Sequence, residues 1–255
     1  MIRFLTIAII LFLYLLLGIP VLLIEGLIAK VNRQASDYQC LRLVQWTFRL
    51  MLKVAGVEVT VIGEENVPDE PVLFIGNHRS YFDILVGYTT VPGLLGFVAK
   101  KEMIKWPFLS QWMVQVNCLF MDRENVKEGL KTILQGIEKI KRGVSIWIFP
   151  EGTRNRNALE TELLPFKEGS LKIAEKSGCP VIPVAITGTA DIFEKHIPII
   201  RPAHVTIEFG EPFIVKELSP EQRKFPGAYT RERILEMLER EQHGLTGNKE
   251  EAGQN

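Results

Sequence analysis

The chain has 255 residues, 47% of them hydrophobic and 24% charged, enough for one large domain or two small ones with a sizeable buried core. Lys plus Arg and Asp plus Glu both total 30, so the formal net charge is zero and no nucleic acid or other polyanionic partner is expected. Collagen-like, disulfide-scaffold and wholly disordered classes are excluded as well. The zero is a sum of unlike parts: residues 1–56 hold six basic groups against two acidic ones, a net of +4, which leaves −4 for the rest. Cys40, Cys118 and Cys179 are far apart and lack Cys-x-x-Cys spacing, which fits packing residues in a reducing, cytosol-facing location.

Residues 4–24, with Phe4, Leu13 and Leu17 among them, carry no charge. At about 1.5 Å per residue such a run crosses or deeply enters a bilayer core of about 30 Å. A secretory signal peptide is the rival reading, but the run exceeds a normal signal core and no Ala-x-Ala-like site comes after it, so a retained anchor is expected. Pro20 removes a backbone donor and is expected to bend this helix. In residues 38–56, Arg42, Gln45, Arg49 and Lys53 recur at steps of 3, 4 and 4, lining one helical face, and Gly56 supplies a stop. A basic amphipathic helix of this kind suits the lipid headgroup layer, although an ordinary core helix with a solvated face has the same pattern. The two segments together read as a helical hairpin over residues 1–56 that anchors the chain to a lipid bilayer. The basic excess after the apolar run puts the domain beyond residue 56 on the cytoplasmic side of a cell inner membrane or plasma membrane.

Beyond Gly56, short β-rich runs alternate with helical patterns, the mark of an α/β fold: a single domain over 57–243 with a mostly central sheet flanked by helices. Strands are predicted at 57–62, 72–76, 97–99, 116–121, 144–149, 181–187 and 205–209. Helices are predicted at 82–90, 126–141, 169–177 and 229–242. The runs from Val72 and Ile146 are continuously apolar, as central strands covered on both faces are. In 126–141 the core stripe is predicted to be Val126, Leu130, Ile133, Leu134, Ile137 and Ile140. The polar tail over 244–255 is expected to be disordered.

The run at 72–76 leads straight into Asn77-His78-Arg79-Ser80-Tyr81-Phe82-Asp83, and the ends of central strands are where open α/β sheets place their ligands. Asp83, five residues on, can fix the tautomer of His78 and free its other nitrogen to accept a proton. No Gly-x-Ser-x-Gly elbow supplies a nucleophile, so His78 is expected to activate either a hydroxyl of the substrate or, in a thioesterase-like hydrolase, water. The strand at 144–149 ends in Phe149-Pro150-Glu151-Gly152-Thr153-Arg154, and the one at 116–121 in Asp122-Arg123, both rich in anion-binding groups. Lys100 and Lys101, after the strand at 97–99, are either further phosphate ligands or surface lysines. His196, His204 and His243 show no metal-ligand spacing, and no metal is predicted.

Four ordered blocks, Asn77-His78 with Asp83, Leu119-Phe120-Met121-Asp122-Arg123, Phe149 to Arg154, and Val181-Ile182-Pro183-Val184-Ala185-Ile186, resemble those of the glycerolipid acyltransferase family, closest to its bacterial lysophosphatidic acid acyltransferases. Asn155 stands where the family often has Ser, and Met121 where it often has Ile or Val. The resemblance implies transfer of an acyl group from an acyl carrier protein or coenzyme A thioester, as co-substrate and without any further cofactor, to the 2-hydroxyl of lysophosphatidate. It implies His78 as general base, worth about 10²–10⁴ in rate, with Asp83 orienting it. Arg123 and Arg154, with Thr153 and the Gly152 amide, would hold the glycerol phosphate, and Glu151 lies in the same pocket without a firm role.

Overall fold

The structure, a computed structural model, describes residues 1–252, with side chains through Gly244. Seven short runs form one sheet: β1 (Val57–Ile62), β2 (Leu73–Gly76), β3 (Leu94–Lys100), β4 (Leu119–Met121), β5 (Val144–Ile148), β6 (Val181–Thr187) and β7 (Ala203–Phe209). Their spatial order is β1-β7-β6-β2-β5-β3-β4. β2 lies at the centre, parallel to β6 and β5, with Leu73 opposite Val181 on one side and Ile146 on the other. Both continuously apolar runs therefore occupy the doubly covered middle of the sheet. β7 runs antiparallel to β6, and β1 pairs with β7 in parallel, so one edge of the sheet reverses direction.

The helices are α1 (Ile2–Val31), α2 (Arg33–Ala55), α3 (Phe82–Thr90), α4 (Leu109–Gln115), α5 (Val126–Lys141), α6 (Lys172–Ser177), α7 (Thr189–Ile192), α8 (Pro220–Lys224) and α9 (Pro226–Ala252). From β2 the chain moves two places toward β4 through α3, and from β5 it moves two places the other way through α6. Right-handed crossovers put these two helices on opposite faces. The gap between the ends of β2 and β5 is therefore the topological switch point, the natural crevice of such a sheet.

An aromatic ladder builds this crevice. Phe74 and Phe97 each stack on Trp147 with ring centroids 5.3 Å apart, and Phe97 lies 5.8 Å from Phe149. The Phe149 ring in turn stacks on His78 at 4.0 Å. Gly87 lets α3 close onto this ladder, because a Cβ there would come within 2.9 Å of the Phe97 ring.

The N-terminal hairpin is longer than its patterning indicates. α1 continues through Pro20 without interruption and ends at Val31; Asn32 then caps α2 by accepting from Ala35 N–H. One missing donor does not break a helix held by a neighbour along its length. Gly18 of α1 meets Trp112 of α4, where a Cβ would stand 2.7 Å from the indole, and Tyr14 lies 4.7 Å from the same ring. α2 ends as expected at Gly56, in the left-handed region at φ 77°. Phe4, expected toward lipid, instead stacks on Phe193 at 5.7 Å and is partly buried; Leu13 and Leu17 are exposed. On α2, Gln45 donates to the Tyr88 carbonyl and Arg49 reaches the Thr89 carbonyl, so the polar face partly caps the end of α3. The exposed stripe of α2 is Tyr38, Arg42, Trp46, Arg49 and Lys53, aromatic as well as basic.

One further expectation is corrected. On α5 the buried face is Thr132, Gly136, Ile137 and Ile140, with Ile133 partly covered, whereas Val126, Leu130 and Leu134 are exposed. α5 packs on β4, β5 and α6 through this one face, and the start of its apolar stripe is left uncovered. At the C-terminus, α9 extends to Ala252. Residues 253–255 lie outside the described residues.

Candidate active site

β2 delivers Asn77 into the sheet rather than to solvent. The Asn77 side chain accepts from Ile186 N–H and donates to the Ile186 carbonyl, both at 2.8 Å, and so extends β2 sideways onto β6. This pins the first residue of the turn and aims the second, His78, across the end of β5.

Asp83, in the first turn of α3, is 1% exposed and fully occupied as an acceptor. Its Oδ2 takes His78 Nδ1 at 2.7 Å and the backbone N–H groups of Arg79 and Ser80 at 2.8 Å each. Its Oδ1 takes the Thr189 hydroxyl from α7. Four donors stabilise the carboxylate, and the carboxylate fixes the imidazole with Nδ1 as its donor. The remaining ring nitrogen, Nε2, has no hydrogen-bond partner among the described residues, while the side chain is 16% exposed. A base held in one orientation, with one open nitrogen, suits proton abstraction from a bound hydroxyl.

Glu151 acts on the backbone of this corner. Its Oε1 accepts from His78 N–H at 2.8 Å and its Oε2 from Leu164 N–H at 3.1 Å. Burial pushes its carboxyl above the usual range, and these two bonds oppose the rise. Glu151 therefore ties the ends of β2 and β5 to the loop over residues 155–166. Arg79, 4% exposed, holds the same loop through the carbonyls of Leu159 and Asn157, and Asn155 N–H donates to the His78 carbonyl.

The cations divide into two groups. Arg154 Nη1 is 3.3 Å from Glu194, Nη2 is 3.0 Å from the Tyr81 hydroxyl, and the guanidinium lies 3.7 Å above the Tyr81 ring. Glu194 also accepts from Ser80 Oγ at 2.6 Å and from Tyr81 N–H at 2.9 Å. Arg154 thus enters the site already paired with Glu194 and Tyr81. The Gly152 amide is likewise taken, by the Phe149 carbonyl at 3.1 Å. Gly152 instead contributes space: at φ 76° it has no side chain, and a Cβ there would stand 3.1 Å from both Arg123 Nη1 and Lys167 Nζ. Two cations converge over one glycine. Partial burial lowers the pKa of Arg123, with Glu102 opposing, and Lys167 makes no ion pair among the described residues. Thr153 is exposed beside them. Lys101 is bound to Asp122 at 2.8 Å, and Lys100 is exposed at the end of β3.

Thr189, Glu194 and Lys167 carry no sequence signal of their own. Thr189 and Glu194 lie 106 and 114 residues from their partners Asp83 and Ser80, and Lys167 meets Arg123 over Gly152 from a separate loop; only the fold brings them together.

The family model described as "Acyltransferase" matches residues 58–187. The chain is 30% identical over 187 residues to a 1-acyl-sn-glycerol-3-phosphate acyltransferase of Saccharomyces cerevisiae, covering 71% of this chain and 61% of that one. It is 30% identical to the protein of the same name from Borreliella burgdorferi, covering 75% of this chain and 76% of the relative. Among solved structures, the 1-acyl-sn-glycerophosphate (LPA) acyltransferase PlsC of Thermotoga maritima superposes with a TM-score of 0.79 at 27% identity, over 94% of this chain and 95% of that one. A chain whose ordered blocks lie on this shared sheet, and half of which the family's model matches, belongs to the acyltransferase family.

Proposed function

We propose that the chain moves a fatty acyl group from a thioester, on acyl carrier protein or coenzyme A, to the 2-hydroxyl of 1-acyl-glycerol-3-phosphate, yielding phosphatidate. The observation that carries this reading is the His78–Asp83 pair at 2.7 Å, with Nε2 open at the switch point. Ser80, the nearest hydroxyl in sequence, donates to Glu194 rather than to His78, and the three cysteines are buried. A base without a protein nucleophile calls for a nucleophile on the substrate. As the hydroxyl oxygen attacks the thioester carbonyl, His78 Nε2 takes its proton and Asp83 stabilises the imidazolium. When the C–S bond breaks, the same proton passes to the departing thiolate. The names of the curated relatives and of the Thermotoga structure support this reaction class.

The phosphate lies over Gly152 between Arg123 and Lys167, where its negative charge pairs with both cations. Thr153 borders this position. Arg154 is a positioning residue that holds Tyr81 and Glu194 at the rim. Residues 1–56 serve as the membrane anchor, with Arg42, Arg49 and Lys53 toward anionic headgroups and the domain from residue 57 on the cytoplasmic side. α1 alone is long and apolar enough to cross a membrane among the described residues, and only 11% of its apolar window is buried.

The test compares lysophosphatidate with monoacylglycerol as acceptors for wild type, Arg123→Met and Lys167→Met. Each variant is expected to raise KM for lysophosphatidate about ten-fold, on the order of 1.4 kcal/mol, with kcat little changed and monoacylglycerol turnover unaffected. Equal use of both acceptors by the wild-type protein would contradict the phosphate site.

A further inference from the structure

Between β3 and α4 the chain makes a short 3₁₀ turn, Lys101–Lys105, continued by Trp106-Pro107-Phe108. Ile104 and Trp106 are each 55% exposed and Phe108 is 46% exposed. Three large apolar side chains on one protruding turn leave a soluble surface without a covering partner. Phe108 adds a second observation: its φ is 63°, a region that costs a bulky residue about 1–3 kcal/mol. Burial of its ring within this chain does not offset that cost.

The occupant is indicated by what the turn adjoins. Leu22, Leu23 and Gly26 of α1 line one open recess together with Ile104 and Val114. The turn is therefore continuous with the apolar surface of α1, whose Leu16, Leu17, Leu23, Ile24 and Leu27 are exposed. It is also rigidly joined to the hairpin, because Trp112 of α4 fills the notch at Gly18 and Gln115 donates to Ser36 Oγ at 3.3 Å. Lys105 immediately precedes the aromatic pair and is exposed. A basic residue beside Trp and Phe is the pattern of a segment that sits at headgroup depth.

We infer that Ile104, Trp106 and Phe108 form a second membrane-entry element, continuous with α1, that seats the strand-end site on the bilayer surface. This inference rests on the reading of α1 as a membrane helix. The turn leaves the C-terminal end of β3, the end of the parallel strands that also presents His78 after β2 and Arg123 after β4. With α1 and this turn both in lipid, that end faces the headgroups, and a lysolipid offers its glycerol to His78 without leaving the leaflet.

The native cysteines are all buried, so the full chain can be spin-labelled selectively at Leu17→Cys, Trp106→Cys or the remote, exposed Glu221→Cys, with the unsubstituted chain as blank. The proteins are added to vesicles of phosphatidylcholine with a minority of phosphatidylglycerol, and collision with dissolved oxygen is compared with collision with a water-soluble nickel chelate. Labels at 17 and 106 are expected to favour oxygen, and the label at 221 the chelate. A label at 17 in lipid with one at 106 in water, or at 106 shielded from both reagents by protein, overturns this inference and leaves the anchor standing. A label at 17 in water overturns both. In parallel, the pair Trp106→Glu with Phe108→Glu is expected to weaken vesicle partitioning about ten-fold or more while sparing turnover of a short-chain, micelle-free acceptor; loss of that turnover as well would contradict a membrane role.

Discussion

Two buried polar networks hold this molecule together, and they are built on opposite terms. At the corner of β2 and α3, one carboxylate, Asp83, meets four donors and nothing is left over. At the foot of the hairpin, Asp37 of α2, 1% exposed, is approached by two arginines, and its Oδ1 accepts no well-formed hydrogen bond. Arg33 Nε lies 2.8 Å from it without hydrogen-bond geometry, and Arg142 from the end of α5 is 3.5 Å away. Lys139, beside them, donates to Asn117 at 2.8 Å, and burial with the repulsion of Arg142 and Arg33 lowers its pKa to about 8. The first network defines one geometry for one imidazole, which chemistry requires. The second links α2 to the end of α5 through the Asp37–Arg142 ion pair and tolerates imperfect bonds, which docking of a hairpin permits.

The largest effects are expected at the first network. Asp83→Asn presents an amide N–H₂ or a single carbonyl to donors that need a carboxylate, and acyl transfer should fall by about 10³–10⁴, with a lower Tm because two backbone N–H groups lose a charged acceptor. A ten-fold loss or less in kcat/KM would show that the orientation of His78 does not depend on Asp83. Thr189→Val removes one of the four donors and keeps the shape. A loss of about ten-fold in kcat is expected, since a hydrogen bond to a buried charge is worth on the order of 1.5–3 kcal/mol; unchanged kcat would make Thr189 a packing residue.

At the second network the effect is smaller and appears in stability against pH. The folded chain releases the Lys139 proton near pH 8, the unfolded chain near the ordinary 10.5. Between these values the unfolded state holds more protons, so stability rises with pH across that window, and below it the cost of the buried charge is fully present. Lys139→Met should remove this gain, on the order of 1 kcal/mol after solvent screening. The check is the difference in urea midpoint between variant and wild type at each end of the window. A difference that does not change with pH would place Lys139 in solvent.

Local patterns made most of the sheet legible. β1, β6, α3 and α5 begin and end where their runs of apolar residues and their turns indicate, and His78 and Asp83 sit at the strand end that a continuous apolar run picks out. Periodicity could not say how far α5 lies over the edge of the sheet, so Val126, Leu130 and Leu134 read as core although they are exposed. Nor could it see that Arg154 is met by Glu194, 40 residues on, or that Lys167 folds back over Gly152. Those pairings depend on the loop at 155–166, which Arg79 and Glu151 hold from a distance and Asn155 from within, and no spacing in that loop announces them. α4 is silent in the sequence for a related reason: seven residues beginning after a strained Phe108 are too short to show a helical period.

The central claim, that His78 activates the acceptor hydroxyl, is tested most directly by the rate of phosphatidate formation from lysophosphatidate and an acyl thioester in vesicles, for wild type and His78→Ala side by side, with thermal unfolding of both. A fall in rate of about 10²–10⁴ or more at an unaltered Tm is the expected result; turnover near that of the wild-type protein would contradict it.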